Sequence, residues 1–233
     1  MAQKKGRGSG RQRQRAAAAQ QAAFEELDKY PVQPPHAFAR IVRDKRTLNI
    51  IYQIIEPPLT KKEREFKEEI MDIFVKSLSA NIEEIDADPK IYLRSAMERI
   101  VKAYGIKANA KSKGKIFYYL ERDLIGYGRM DVLMNDPNVE DISLDGTGIP
   151  IFAYHRKFES VETTCSWDND DELESYIIKL AQRCGKHISV AEPLLDATLM
   201  DGSRIVMKLG HEISTKGSTF CIRRFREDPF SPC

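Results

Sequence analysis

Two apolar runs, LLDATLM and RIVMKLG, are separated by only Asp201-Gly202-Ser203. A glycine between two short polar residues reverses a chain within one turn, so this stretch predicts a β-hairpin, with Arg204 the first residue to leave it. A further strand is expected from Ser218 to Phe225, and it ends in the doubled arginine Arg223-Arg224. Strands hold their side chains on stiff backbone, and a guanidinium fork matches phosphate oxygens in a way that lysine does not. The expectation is that Arg204 and one of Arg223 or Arg224 face a shared anion.

The rest of the chain is read around this stretch. Residues 1–30 open with Lys4, Lys5, Arg7, Arg11, Arg13 and Arg15 and no acid, then become Ala-Gln rich, and are read as a disordered tail. Residues 36–106 are read as a strand pair (Phe38 to Val42, Thr47 to Ile55) followed by a small helical module. One helix starts at the capping box Thr60/Glu63, with Phe66, Ile70, Ile73, Phe74 and Leu78 as its apolar stripe. A second follows Asp88-Pro89, with Leu93, Met97, Ile100, Val101 and Tyr104 as its stripe and Gly105 as its stop.

Lys107 to Lys115 reads as an internal linker, and residues 112–227 as an α+β main domain whose mixed or antiparallel sheet is covered by helices. Its expected elements are a helix through Phe117, Leu120 and Leu124, a helical turn at Asp131 to Met134, and a strand from Asp141 to Leu144. A hairpin over Pro150 to Tyr154 and Phe158 to Val161 follows, then a long helix from Asp168 or Asn169 to Gly185. Asp228-Pro229 and Ser231-Pro232 make residues 228–233 a linker, and the stretch from Glu227 to Pro232 a hinge.

Composition narrows the function classes. With 42% hydrophobic and 31% charged residues the chain fits a soluble globular protein, and no run of roughly 18 apolar residues is present to span a bilayer. The four cysteines are scattered singly, without a CxxC pair or matching histidines, so no zinc site is expected and a reducing compartment is the simpler reading. GxxxxGK[ST] does not occur, so the loop that cradles nucleotide phosphates on backbone amides is missing from the sequence. Gly126-Tyr127-Gly128 reads as a helix stop, His187 as a partner of helix-end carbonyls, and the acids from Asp168 to Glu172 as a helix start. By spacing alone Arg204 is an ordinary strand arginine and Arg223-Arg224 a surface charge pair.

Three segments alter that balance: GYGRMDVLMNDPNVEDISLDG, GKHISVAEPLLDATLMDGSRI and STFCIRRF, in this order. Together they resemble the N-terminal region of the type II/type IV secretion ATPases, which also serve pili and archaella, and most nearly the archaeal type. The resemblance covers roughly residues 35 to 232. It implies that this chain supplies arginines to ATP and its magnesium held by a RecA-like domain that the sequence does not contain. Arg204 and Arg223 would carry that role, with Arg224 as the alternative to Arg223. It further implies a homo-hexamer of full-length subunits, a membrane platform protein as partner, a cytoplasmic place at the inner face of the membrane, and a chain that is either truncated or one half of a split gene. Alone, the chain is expected not to hydrolyse ATP, since arginines add to a site that already holds the nucleotide. Two alternatives come from other classes: an adaptor that docks on a secretion complex without nucleotide, and a nucleic-acid binder using the basic arm. No aromatics interleave the arm's charges as a stacking platform would need, which disfavours the second.

Overall fold

The computed structural model describes residues 23–77, 89–103, 109–211 and 215–225. Nine strands form one mixed sheet: β1 Phe24–Gln33, β2 Ala37–Asp44, β3 Ile50–Ile55, β4 Val139–Leu144, β5 Pro150–His155, β6 Glu159–Ser166, β7 Leu194–Thr198, β8 Arg204–Lys208 and β9 Thr219–Arg223. Their spatial order is β1-β2-β3-β6-β5-β4-β9-β8-β7. Among the described residues five α-helices accompany them: α1 Lys61–Ser77, α2 Pro89–Ala103, α3 Ala110–Leu124, α4 Asp131–Asn135 and α5 Asp170–Arg183. The fold is α+β, as the sequence reading has it.

The chain divides into two compact units. Among the described residues, one comprises those up to 31, 39–54 and those from 136 onward, and the other 32–38 and those between 55 and 135. In the first unit the run from β6 to β7 is antiparallel throughout. Period-two alternation gives this part of the sheet a covered face and an open one. Ile205, Met207, Phe220, Ile222, Ile142 and Leu144 are buried on one side. Helix α5 contributes buried Leu173, Ile177, Leu180 and Ala181, and its Tyr176 ring lies 6.4 Å from that of Phe220. Arg204, Val206, Lys208, Cys221 and Arg223 are exposed on the other. In the second unit, Ile70, Phe74, Leu93, Met97, Ile116 and Leu120 form the core of three helices. The Thr60/Glu63 capping box is present: Thr60 N donates to Glu63 Oε2 at 2.8 Å and Glu63 N to Thr60 Oγ1 at 3.3 Å. These bonds and the Ser112 hydroxyl push the Glu63 carboxyl down to about 2.

Several sequence-based boundaries are corrected. Residues 24–30 are strand β1, not tail. Glu25 and Glu26 pair with Arg43 and Arg40 of β2, and Pro31 is accommodated because β1 is an edge strand. Residues 47–49 are not strand: Asp44 Oδ1 accepts from Arg46 N at 2.7 Å, and Leu48 has φ of 63°, which makes a turn of them. The strand pair does not belong to a separate module, because β3 joins β6 in parallel through Ile51↔Glu162 and Tyr52↔Thr163. The stretch from Lys107 to Lys115 is not the boundary either. Asn109 caps α3 by accepting from Ser112 N at 2.7 Å, so residues 110–115 are helical and the second unit continues to Asn135. The basic arm of residues 1–15, Leu78, Asp88, Gly105 and the hinge from Glu227 to Pro232 lie outside the described residues.

Candidate functional site

The turn at Asp201 sets the position of Arg204. Gly202 has φ of +84°, which a residue with a Cβ adopts only at a cost, and a Cβ there would also lie 3.2 Å from Phe225 Cγ. Asp201 Oδ1 accepts from Ser203 N at 3.0 Å and Oδ2 from the Ser203 hydroxyl at 2.9 Å. Ser203 is buried, and its Oγ accepts from Phe225 N at 3.1 Å. The hairpin tip is thereby tied to the end of β9, and Arg204 starts β8 beside Arg223.

Arg204 and Arg223 are direct register partners on neighbouring antiparallel strands. Such partners hold their Cβ atoms about 5 Å apart on one face. The same row continues to Thr198 on one side and Asp141 on the other. Arg223 donates from Nε to Asp141 Oδ1 at 3.1 Å while its side chain stays 80% exposed. The Arg204 side chain makes no hydrogen bond or ion pair among the described residues. Both arginines line an open groove of about 560 Å³ together with Glu140, Asp141, Thr198, Gly202, Arg224 and Phe225. Like charges directly opposite on a sheet repel and destabilise the pair. An anion seated between two such guanidiniums would offset that repulsion.

Arg224 behaves differently. Its backbone N extends the ladder to Glu140 O at 2.8 Å. Its Nη1 donates to the carbonyls of Asp136 and, at 3.0 Å, Val139. Those bonds hold the guanidinium to main chain, so the structure pairs Arg204 with Arg223, and Arg224 serves as a brace at the groove's side.

The brace leads to a cluster that the sequence did not reveal. Asp136, which precedes Pro137, is completely buried. Its Oδ2 accepts from the Tyr30 hydroxyl at 2.7 Å and the Tyr52 hydroxyl at 2.6 Å, and its Oδ1 from Asn138 N at 2.8 Å. Burial, reinforced by this carboxylate, raises both tyrosine pKa values well above their usual range. His155 Nδ1 accepts from Lys157 N at 3.1 Å, which leaves the proton of the neutral ring on Nε2, 2.9 Å from the Tyr30 oxygen. Burial lowers the His155 pKa and keeps that ring neutral. Four elements distant in sequence meet here, and nothing local in the sequence marks them.

In the second unit Arg122 is fully committed. Its Nη1 reaches both Glu56 oxygens at 2.9 and 2.7 Å, and its Nη2 lies 2.8 Å from Asp123 Oδ1. The Tyr118 hydroxyl also donates to Glu56 at 2.7 Å. The guanidinium is thereby held between two carboxylates. The glycines after α3 do serve as a stop: a Cβ on Gly126 would lie 2.3 Å from Asp131 Oδ1, the atom that accepts from Tyr127 N at 2.8 Å. The carbonyls at the end of α5 are satisfied by Cys184 N, Gly185 N and Lys186 N, and this replaces the role expected of His187. Among the described residues no cluster of His, Cys, Asp or Glu could hold a metal ion, and no helix is long and apolar enough to cross a membrane.

With this geometry in place, the chain can be set beside known proteins. No protein-family model matches it. It is similar to three uncharacterized proteins of the archaeon Methanocaldococcus jannaschii. The first is 40% identical over 164 residues, which cover 70% of this chain and 65% of the relative. The second is 37% identical over 126 residues, covering 54% and 23%, and the third 34% identical over 116 residues, covering 49% and 15%. The chain therefore spans less than two thirds of the length of each of these relatives. Among solved structures there is a distant likeness to the VirB11 ATPase of the Brucella suis type IV secretion system, with a TM-score of 0.36 and 18% identity, covering 49% of this chain and 32% of that one.

Proposed function

We propose that this chain is the N-terminal portion of a secretion-type ATPase, and that it contributes Arg204 and Arg223 to the phosphates of an ATP molecule held by a RecA-like domain. The observation that carries this reading is the pairing of two exposed, like-charged guanidiniums on adjacent strands beside an open groove. The sequence resemblance of three ordered segments supports it. In phosphoryl transfer such arginines neutralise charge that develops on the transferred group, and they act only where phosphate loop and magnesium already hold the nucleotide. This sequence contains no such loop, and in this reading the RecA-like domain provides it. ATP and magnesium are bound there, neighbouring subunits form a ring, and nucleotide state is converted into motion of one domain against the other. The finished machine works at the cytoplasmic face of a membrane, with a platform protein as partner.

ATP binding tests the reading when measured calorimetrically for this chain alone, for a RecA-like ATPase domain alone, and for the two together. Binding by the pair should be at least tenfold tighter than by the RecA-like domain alone, and Arg204→Ala should abolish the gain. Equal affinity with and without this chain contradicts the reading and favours an adaptor that docks independently of nucleotide.

A further inference from the structure

We infer that Asp141 is a positioning residue for Arg223, holding the guanidinium by Nε so that its two terminal nitrogens remain for a phosphate. The inference rests on the functional reading above and adds a residue to it.

Strand β4 does not alternate regularly. Val139 pairs with His155 and Asp141 with Tyr154, so two steps along β4 match one along β5. This irregularity lets Val139, Ile142 and Leu144 all be buried while Glu140 and Asp141 both stay partly exposed. A bulge of this kind re-aims side chains. Here it leaves Asp141 opposite Arg223, and Arg223 opposite Arg204. Glu140, the other acid of the bulge, is directed to Arg156 Nε at 3.2 Å. Asp141 is the acid that accepts from Arg223 of the row.

The contact itself is selective. It runs from Nε to one carboxylate oxygen, and Arg223 makes no other hydrogen bond or ion pair among the described residues. Among the described residues Nη1 and Nη2, the pair suited to two oxygens of one phosphate, have no hydrogen-bond or ion-pair partner. An exposed ion pair contributes little to stability, so stability alone does not account for placing a carboxylate against one of two arginines in an anion site. Its effects on a bound anion have opposite signs. The negative charge weakens attraction, reducing a row of two guanidiniums to a net charge of +1, whereas the hydrogen bond at Nε fixes the plane of the fork.

Those opposed signs define the test. Inorganic tripolyphosphate is titrated into this chain, and the Nε–Hε resonances of Arg204 and Arg223 are followed by NMR. In the unaltered protein both resonances should move together. Asp141→Asn keeps an acceptor and removes the charge, so both should still move, with affinity raised about two- to fivefold, as expected for loss of one exposed like-charged neighbour of the ligand. Asp141→Ala removes the acceptor too. The Arg204 response should persist while that of Arg223 falls to less than half. An undiminished Arg223 response in Asp141→Ala overturns the inference and leaves the arginine pair standing. Resonances that do not move in the unaltered protein overturn the inference, while the functional reading stands or falls on the paired-domain ATP binding described above.

Discussion

Arg223 and Arg224 are adjacent in sequence and opposite in circumstance. Arg223 stands on the open face of the sheet, 80% exposed, with one carboxylate contact. Arg224 turns to the carbonyls of Asp136 and Val139, next to a carboxylate that accepts from three donors. The outer row carries two like charges side by side and is weakly held. The Asp136 cluster is buried and fully satisfied. A buried polar network rigidifies when every member is paired and is costly to break, while exposed charges cost little to change. The buried cluster is thus the costly part of this unit to change and the exposed row the cheap one, with Arg224 as the strut between them.

That contrast is broken most severely at Asp136. Asp136→Ala strands two tyrosine hydroxyls and a backbone N–H, and should lower unfolding stability by about 3 to 5 kcal/mol, read by chemical denaturation. Arg224→Ala removes two charge-assisted bonds to carbonyls and should cost about 2 kcal/mol. A loss below about 0.5 kcal/mol for either would show that the cluster is not the structural centre. Acid titration gives a smaller, directional effect. The folded pKa of His155 lies below its ordinary 6.5, so the unfolded chain takes up the proton first. Stability should be unaffected by this group above about pH 6.5, and should fall as the pH drops through 6.5 toward the folded value. His155→Gln should flatten that part of the profile. The smallest change is expected in the row: Arg204→Thr relieves the like-charge pair and suits a strand, so stability should stay within about 0.5 kcal/mol of the parent, on the stabilising side. A loss near 2 kcal/mol would mean that Arg204 is structural.

The sequence made the row legible and hid the cluster, for one physical reason. Asp201-Gly202-Ser203, the alternation in RIVMK and the end of the STFCIRRF segment are local signals, and they place β8, β9 and both arginines without knowledge of anything distant. The capping box at Thr60 and the helix start at Asn169 are equally local, and both caps form. Tyr30, Tyr52, Asp136 and His155 lie on four separated stretches of chain that only the assembled sheet brings together. The same holds for the parallel pairing of β3 with β6 and for the two compact units, the second of which takes residues 32–38, skips 39–54 and resumes at 55. Strand β1 was concealed by composition: its four charged residues extend the look of the tail, although two of them are partners for β2 arginines. Arg224 could not be told from Arg223 by spacing, since which of two consecutive strand residues faces out depends on register.

The central claim is that Arg204 and Arg223 complete a nucleotide site supplied by another domain. Steady-state ATP turnover, measured on this chain combined with its RecA-like domain, tests it most directly. Arg204→Ala should lower kcat by roughly 10³-fold, the scale of a lost arginine finger, with assembly and thermal stability unchanged. Turnover equal to that of the parent, at equal assembly, would contradict it.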